Sequence, residues 1–308
     1  MAPPVDPPAH LLERIRATFP ALRLSSVRLD PDGLVNTVVI VNDEWVCRFA
    51  KDEHGMQALA HEAQVLAMVR RHVDVAVPAF EHQEPDFVAY RFIQGRPLYR
   101  HDLQELNDRE QDHLAEQLGT FLRQLHAIPQ AELEQHAIGR SDAQRTPEDW
   151  QRLYADVERE LFPLLWRDQR DWVAHHFAPV RTGRLDLGYR PVLIHGDLAQ
   201  YHILVQAETM NLTGILDFGT AGLGDPAGDF AVVISMYGER FLQRLGRTDP
   251  TVIEALDRAR FLAGTVELQW VLAGLRSGDR SWFVAHIGRA RDAGPIGSAW
   301  RAPSGAAE

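Results

Sequence analysis

Cysteine is almost missing from this sequence: Cys47 is the only one in 308 residues. Without a second thiol there is no internal disulfide, and a lone cysteine suits a reducing cytosol. Lysine is equally scarce. Lys51 is the only one among 32 basic residues, a codon-usage bias that leads us to expect Arg where another sequence would carry Lys. Positive charge is in deficit, since 43 Asp and Glu leave a formal net charge of −11. That balance argues against a nucleic-acid-binding surface and leaves cationic ligands open. The deficit is spread along the chain, with 13 acidic against 9 basic residues up to position 95. No stretch approaches the roughly 18 consecutive apolar residues of a membrane span. The opening MAPPVDPPAH has neither the basic nor the apolar region of a signal peptide, and residues 1–10 read as a frayed tail. These absences predict a cytoplasmic protein, monomer or dimer, with neither membrane nor nucleic acid among its partners.

What is present is the balance of a globular protein, 45% hydrophobic and 24% charged, long enough for one large or two ordinary domains. No internal repeat is visible. LVNTVVIV (34–41) and EWVCRFA (44–50) are β-rich runs, and Asn42-Asp43 between them suits a two-residue hairpin turn. Alternation puts Trp45, Cys47 and Phe49 on one face of the second run, with Val46 and Arg48 on the other. MQALAHEAQVLAMVRR (56–71) is helical by period, with Glu62 inside the stripe formed by Leu59, Leu66 and Val69. A carboxylate there needs a cationic partner, and Arg48 on the adjoining strand is the candidate. VAVPAF (75–80) predicts a strand, and FVAYRFIQGRPL (87–98) a strand running into a Gly-x-Pro break, with a hinge at 91–97. Beyond it the chain turns helical: 113–127, with Leu114, Leu118, Phe121, Leu122 and Leu125 facing a core, then 148–178 and 251–291. The exception is the middle, where strands 203–206 and 213–217 pair most simply as a hairpin, preceded by a strand at 192–194. The reading is an α+β fold: a small antiparallel-sheet lobe over residues 1–95 and a larger, mostly helical lobe over 96–308.

The chemistry concentrates in VLIHGDLAQYHILV (192–205) and GILDFG (214–219). The hairpin would set the end of the first beside the end of the second, 20 residues from Asp197 to Asp217. Two carboxylates at one nucleotide serve phosphoryl transfer, which asks a protein for positioning, neutralisation of phosphate charge and a carboxylate near the incoming hydroxyl. Asp197 would orient that hydroxyl and take its proton late. Asp217 would bind Mg²⁺ through oxygen. Each has a plainer alternative as a turn or cap residue, and Asp225 before Pro226 reads as a helix initiator only.

The order Gly33-x-x-Asn36, Arg48, Glu62, YRFIQGRPL, HGDLAQYHIL, ILDFG and GDPAGDFA resembles the aminoglycoside phosphotransferase family over residues 27 to 290. The resemblance implies a protein-kinase-like fold and an O-phosphotransferase using ATP or GTP with Mg²⁺. In its terms Gly33 and Asn36 belong to the phosphate-covering turn, Arg48 takes the phosphate-binding slot of the kinase lysine, and Glu62 pairs with it. Lys51, three residues on, is a rival that points to the other face of the strand. Backbone groups near Arg91 and Ile93 would bind the purine edge. Tyr90 would gate the base pocket, where a bulky Tyr goes with guanine nucleotides; a packed strand aromatic is the alternative. His195 would brace the loop and Asp229 support it from behind. Position 202, where the family pattern has Asn reaching a metal, is His. This is similar to the branches acting on the 2″-hydroxyl of aminoglycosides and on macrolides, so His202 is expected to contact metal or phosphate, with a packed loop histidine as the alternative.

No acceptor motif is legible. Glu267, beside Trp270, is the candidate for a cationic substrate, and a solvated helix face is its alternative. The expected activity is phosphorylation of a small-molecule hydroxyl, foremost on an aminoglycoside, with antibiotic resistance as its biological setting. A macrolide, homoserine, choline or sugar kinase keeps the chemistry and changes the acceptor. A nucleotide-binding regulator is motivated by His202, Arg48 and the glycine-poor turn. A metal-dependent hydrolase built from His195, Asp197 and His202 leaves Arg48, Glu62 and the hinge unexplained.

Overall fold

Asn42 and Asp43 adopt left-handed φ values of 55° and 51°, a region Asn and Asp tolerate better than most residues. The Glu44 N–H donates to the Val41 carbonyl at 2.9 Å, closing the expected turn between β2 (Asn36–Val41) and β3 (Trp45–Ala50), which pair antiparallel. The computed structural model describes residues 7–30, 35–278 and 296–297. With β1 (Val27–Asp30), β4 (Phe80–Glu84) and β5 (Phe87–Arg91), the hairpin forms a five-stranded antiparallel sheet of order β1-β2-β3-β5-β4.

Alternation along β3 holds. Trp45, Cys47 and Phe49 pack with Val39, Val41, Phe87 and Ala89 against Leu11 and Ile15 of α1 (Ala9–Thr18). That helix starts within the stretch expected to be a frayed tail. Burial pushes the Cys47 thiol up to about 12, which makes it a packing residue rather than a nucleophile. Val46 and Arg48 look to the other face, where Val46 meets Ile40 and Tyr90. Helix α2 (Glu53–Val69) lies beside β3. It begins three residues before the apolar period does, because the Asp52 side chain caps it by accepting from the Gly55 N–H at 2.9 Å.

Residues 75–79 do not form the expected strand. Pro78 has no N–H to give a ladder; Ala76 makes only an isolated bridge to Gly214, and β4 starts at Phe80. After β5 the chain crosses at 92–95, then pairs through β6 (Arg96–Pro97) with β8 (Ile203–Val205), and β8 with β9 (Leu212–Ile215). A second small sheet joins β7 (Val192–Ile194) to β10 (Gly222–Gly224).

The rest of the larger lobe is helical: α3 (Arg100–Glu105), α4 (Asp108–His126), α5 (Gln130–Gln135), α6 (Pro147–Asp156), α7 (Arg167–Arg181), α8 (Ala227–Tyr237), α9 (Glu239–Leu245) and α10 (Thr251–Ser277). The α4 stripe is buried as its period predicts, in one core with α8, α9 and the small sheets. The expected helix 148–178 is interrupted. A π turn at Val157–Leu161 and a 3₁₀ turn at Phe162–Leu164 separate α6 from α7, and Pro163 lacks the N–H that would continue the α ladder. Trp150, Tyr154, Phe177, Phe261 and Val271 make a second core between α6, α7 and α10. Helix α10 stops at Gly278, φ 77°; its expected continuation to 291 lies outside the described residues. Among those described, no helix is long and apolar enough to cross a membrane.

Candidate active site

The site is built upward from one buried carboxylate. Asp229, fully buried on α8, accepts from the backbone N–H groups of His195 (3.0 Å) and Gly196 (2.9 Å). It also meets Nε2 of His126, on α4, at 3.0 Å. Burial alone would raise its pKa; His126 and the backbone donors hold it below the usual carboxylate range. Three groups on one carboxylate thus fix the loop that follows β7.

His195 is fully buried, and its bonds assign its tautomer. Nε2 donates to the Leu216 carbonyl at 3.0 Å, and Nδ1 accepts from the Asp197 N–H at 3.3 Å, so the ring is neutral with its proton on Nε2. Burial lowers its pKa. Gly196 takes φ 82°, and a Cβ there would lie 2.9 Å from the Thr220 carbonyl oxygen. Only glycine fits that crossing.

The β8–β9 hairpin carries the second half. Leu216 N–H donates to the His202 carbonyl at 2.8 Å, so the two loop ends adjoin. Asp217 lies two residues beyond β9, at φ 61°, with Oδ1 accepting from the Gly219 N–H at 3.2 Å. His202 stands between the carboxylates. Its Nδ1 donates to the Asp197 carbonyl at 2.8 Å and lies 3.8 Å from Asp197 Oδ2, while Nε2 lies 3.4 Å from Asp217 Oδ2. The two carboxylates are pushed apart in acidity. Burial raises Asp197 above its ordinary value. Burial would raise Asp217 too, but His202, Arg48 and His195 together bring it below. The two neighbouring carboxylates thus differ in acidity because their surroundings differ.

From the sheet lobe, Arg48 Nη1 reaches both oxygens of Glu62, Oε1 at 2.9 Å and Oε2 at 2.8 Å. Glu62 Oε1 also accepts from the Phe218 N–H at 3.2 Å, so the pair foreseen from the helical stripe reaches across to the Asp217 loop. Burial opposes the Arg48 charge, and Glu62, Tyr90 and Asp217 outweigh it. Tyr90 is buried on the Arg48 face, where burial pushes its phenol up.

Asn36 is buried at the start of β2, and among the described residues its Oδ1 has no hydrogen-bond partner. Gly33 lies outside the described residues. The Arg91 side chain turns away over the Trp45 ring, 3.9 Å from its centroid, and toward Glu81 at 3.3 Å. Ile93 packs on Gly214, whose Cβ would sit 2.6 Å from Ile93 Cγ2. Lys51 is exposed beyond the end of β3. Glu267 is half-buried on α10, two residues before Gln269, which Arg145 holds at 3.0 Å. Asp225 is committed elsewhere: Arg258 grips it at 2.7 and 3.1 Å, and its Oδ1 caps α8 through the Ala227 N–H.

Asp217 offers the oxygen ligand a hard cation prefers, and the imidazole nitrogen of His202 is a poorer match for it. Among the described residues no group of three or more His, Cys, Asp or Glu could hold a metal alone. Mg²⁺ takes one or two carboxylates and fills its shell with phosphate oxygens and water. With Nδ1 committed to a carbonyl, Nε2 of His202 and Oδ2 of Asp217 bring two electron-rich atoms together, a place for positive charge. Several contributors escaped the sequence reading: His126, His61 (Nε2 to the Ala221 carbonyl, 2.7 Å), Ser141, Thr220 and the exposed Tyr201, edge-on to His202 at 4.5 Å. For His61 and His126 the signal available was polarity within a helix, which does not name a partner, and Ser141, Thr220 and Tyr201 lie outside the α-helices, where no period marks them.

A family model described as phosphotransferase enzyme family matches residues 26–264. The chain belongs to that family. This family member is 28% identical over 267 residues to viomycin phosphotransferase of Streptomyces vinaceus, covering 80% of this chain and 87% of the relative. It is also 28% identical over 240 residues to the uncharacterized protein YcbJ of Bacillus subtilis (strain 168), covering 71% and 73%. Among solved structures, the GDP complex of wild-type aminoglycoside 2'-phosphotransferase-IIIa superposes with a TM-score of 0.81 at 28% identity, covering 91% of this chain and 96% of that one. A type I macrolide 2'-phosphotransferase shares the fold, with a TM-score of 0.69, 23% identity, and 94% and 99% covered. The fold is kinase-like, a five-stranded antiparallel lobe on a helical one, and the protein is a phosphotransferase.

Proposed function

We propose that this phosphotransferase moves the γ-phosphate of ATP or GTP to a hydroxyl of a small cationic antibiotic, an aminoglycoside foremost, with Mg²⁺. The observation that carries the reading is the meeting of Asp197 and Asp217 at His202, beneath the Arg48–Glu62 pair. Asp197, with its raised pKa, orients the acceptor hydroxyl and takes its proton as the bond to phosphorus forms. Asp217 and His202 would hold the cation, which neutralises phosphate charge when bound. Arg48, kept in place by Glu62, faces the nucleotide phosphates together with Asn36, and Gly33 is the further phosphate-side residue of this reading. Backbone groups at Arg91 and Ile93 meet the base, and Tyr90 limits its pocket. Glu267 supplies negative charge on the acceptor side. We place the lobe boundary at residues 95 and 96, next to Gly95 in the crossing, and the protein in the cytoplasm.

Guanine nucleotide use is favoured by Tyr90 and by the relatives near 28% identity solved with GDP, one of them also with kanamycin. At limiting concentrations GTP should support faster turnover than ATP; a clear ATP preference removes this part of the proposal. The acceptor is tested with a panel of aminoglycosides, viomycin and macrolides, with Mg²⁺, each nucleotide, and Asp197→Ala as the blank. We expect nucleotide consumption that depends on one acceptor class and is lost in Asp197→Ala. Nucleotide binding without turnover against the whole panel would overturn an antibiotic acceptor.

A further inference from the structure

Between α5 and α6, residues 139–144 run along β10 rather than into solvent. Leu223 N–H donates to the Gly139 carbonyl at 2.8 Å, Ser141 N–H to the Leu223 carbonyl at 3.0 Å, and Asp225 N–H to Gln144 Oε1 at 2.8 Å. Ser141 is the buried member of this segment, at 3% exposure. Its hydroxyl donates to the Thr220 carbonyl at 2.7 Å and accepts from the Ala143 N–H at 3.2 Å. The Thr220 hydroxyl in turn donates to the His195 carbonyl at 3.0 Å. The Thr220 hydroxyl therefore links the loop carrying Asp217 to the loop carrying Asp197, and buried Ser141, from a third segment, holds Thr220 by its carbonyl.

The fit is close. A Cβ on Gly196 would come within 3.0 Å of Ser141 Oγ, and one on Gly222 within 2.6 Å of Ser141 N. The glycine before Asp197 and the first residue of β10 are thus both shaped to this serine.

We propose that Ser141 is a positioning residue for phosphoryl transfer: through Thr220 it sets the spacing between the Asp197 loop and the Asp217 loop. The proposal rests on the reading of Asp197 as the base. Ser141 touches neither carboxylate, so its removal should alter the alignment of the reacting groups and leave nucleotide affinity nearly intact. A misplacement on the scale of an ångström is enough to slow a transfer by about 100-fold.

The test is a double-mutant cycle on the full chain, with the acceptor found in the panel or, if none is found, with water as acceptor in nucleotide hydrolysis. Active-site concentration is fixed by calorimetric nucleotide binding, so loss of folded protein is not read as loss of rate. Ser141→Ala is expected to lower kcat about 10- to 100-fold, with nucleotide KM changed by less than about twofold, and to cause no further loss in the Asp197→Asn background. Equal losses in both backgrounds, or a KM rise that accounts for the whole effect, assign Ser141 to general stability and overturn the proposal. An unchanged kcat does the same. Should Ser141→Ala fail to fold, Ser141→Cys reads the same link, since it fills the site but offers only a weak donor to the Thr220 carbonyl; the proposal requires it to lower kcat with nucleotide KM nearly unchanged, and a parental kcat overturns it. An Asp197→Asn enzyme as active as the parent defeats the reading of the site itself, and with it this inference; an inactive Asp197→Asn beside a neutral Ser141→Ala defeats only the inference.

Discussion

His176 shows what a single side chain contributes to the larger lobe. Its ring stacks between Trp172 and Phe261, with centroids at 5.0 and 5.4 Å, and Nε2 donates to the Phe261 carbonyl at 2.8 Å. It fills the space over Gly264, where a Cβ would come within 2.3 Å of the ring. Burial lowers its pKa below the ordinary 6.5. Below that value the unfolded chain takes a proton that the folded ring resists, so the unfolded state binds more protons and stability falls with acid, from about pH 6.5 down to the folded pKa. His195, lowered for the same reason, adds to the slope with the same sign. Thermal melts should give a Tm that drops between pH 7 and 5.5, and His176→Gln should flatten that slope; an unchanged slope would refute the assignment. Glu62 was readable from sequence because a carboxylate inside an apolar helical stripe demands a partner. His126 and His176 were not, because their partners lie 103 and 85 residues away and nothing local selects them.

At the scale of elements, the docking of α2 on β3 depends on the Arg48–Glu62 pair, whose carboxylate is 1% exposed. Removing one partner of a buried pair leaves the other charged and unpaired, at a cost of about 3–5 kcal/mol. Glu62→Ala should therefore destabilise the fold by that amount in urea titrations, and Glu62→Gln by less, because an amide still accepts from Arg48. A loss under about 1 kcal/mol for the alanine variant, the level of an exposed pair, would mean that the ion pair is not what seats the helix. The hairpin, α4 and the β8–β9 pairing were legible because turn residues and period agreed over several residues. Helix α1 was hidden behind a proline-rich start, and Pro78 and Pro163 cut elements that apolar runs had joined. Asp217 sits past its strand, in a left-handed turn that the residue type does not announce.

For the whole molecule, the crossing at 92–95 decides how the lobes meet. Phe92 N–H donates to the Glu44 carbonyl at 2.8 Å and Gln94 Nε2 to the Asp43 carbonyl at 3.1 Å, tying the crossing back to the β2–β3 turn. Gly95 takes φ 147°, and a Cβ there would strike Thr213 Oγ1 at 2.4 Å. Gly95→Val should weaken nucleotide binding about tenfold or more, as strain at a conformation glycine alone adopts shifts the backbone proposed to meet the base; calorimetry with each nucleotide measures it, and unchanged affinity would separate the crossing from the nucleotide. Nucleotide with Mg²⁺ at 100 times its Kd should stabilise the protein by about 2.7 kcal/mol, seen as a rise in Tm that chelation reverses. A Tm that ignores both ligands would speak against the nucleotide site.

One oxygen has a consequence for how the cleft breathes. Oε1 of Glu62 takes the Arg48 guanidinium from its own lobe and the Phe218 amide from the other. Pulling the lobes straight apart would strip that atom of its hydrogen bond to the opposite lobe, whereas a tilt about it leaves both contacts whole. His61 on the same helix ties to the Ala221 carbonyl at 2.7 Å, so under the proposed function spent nucleotide should leave by the rim farthest from α2, where neither tie reaches.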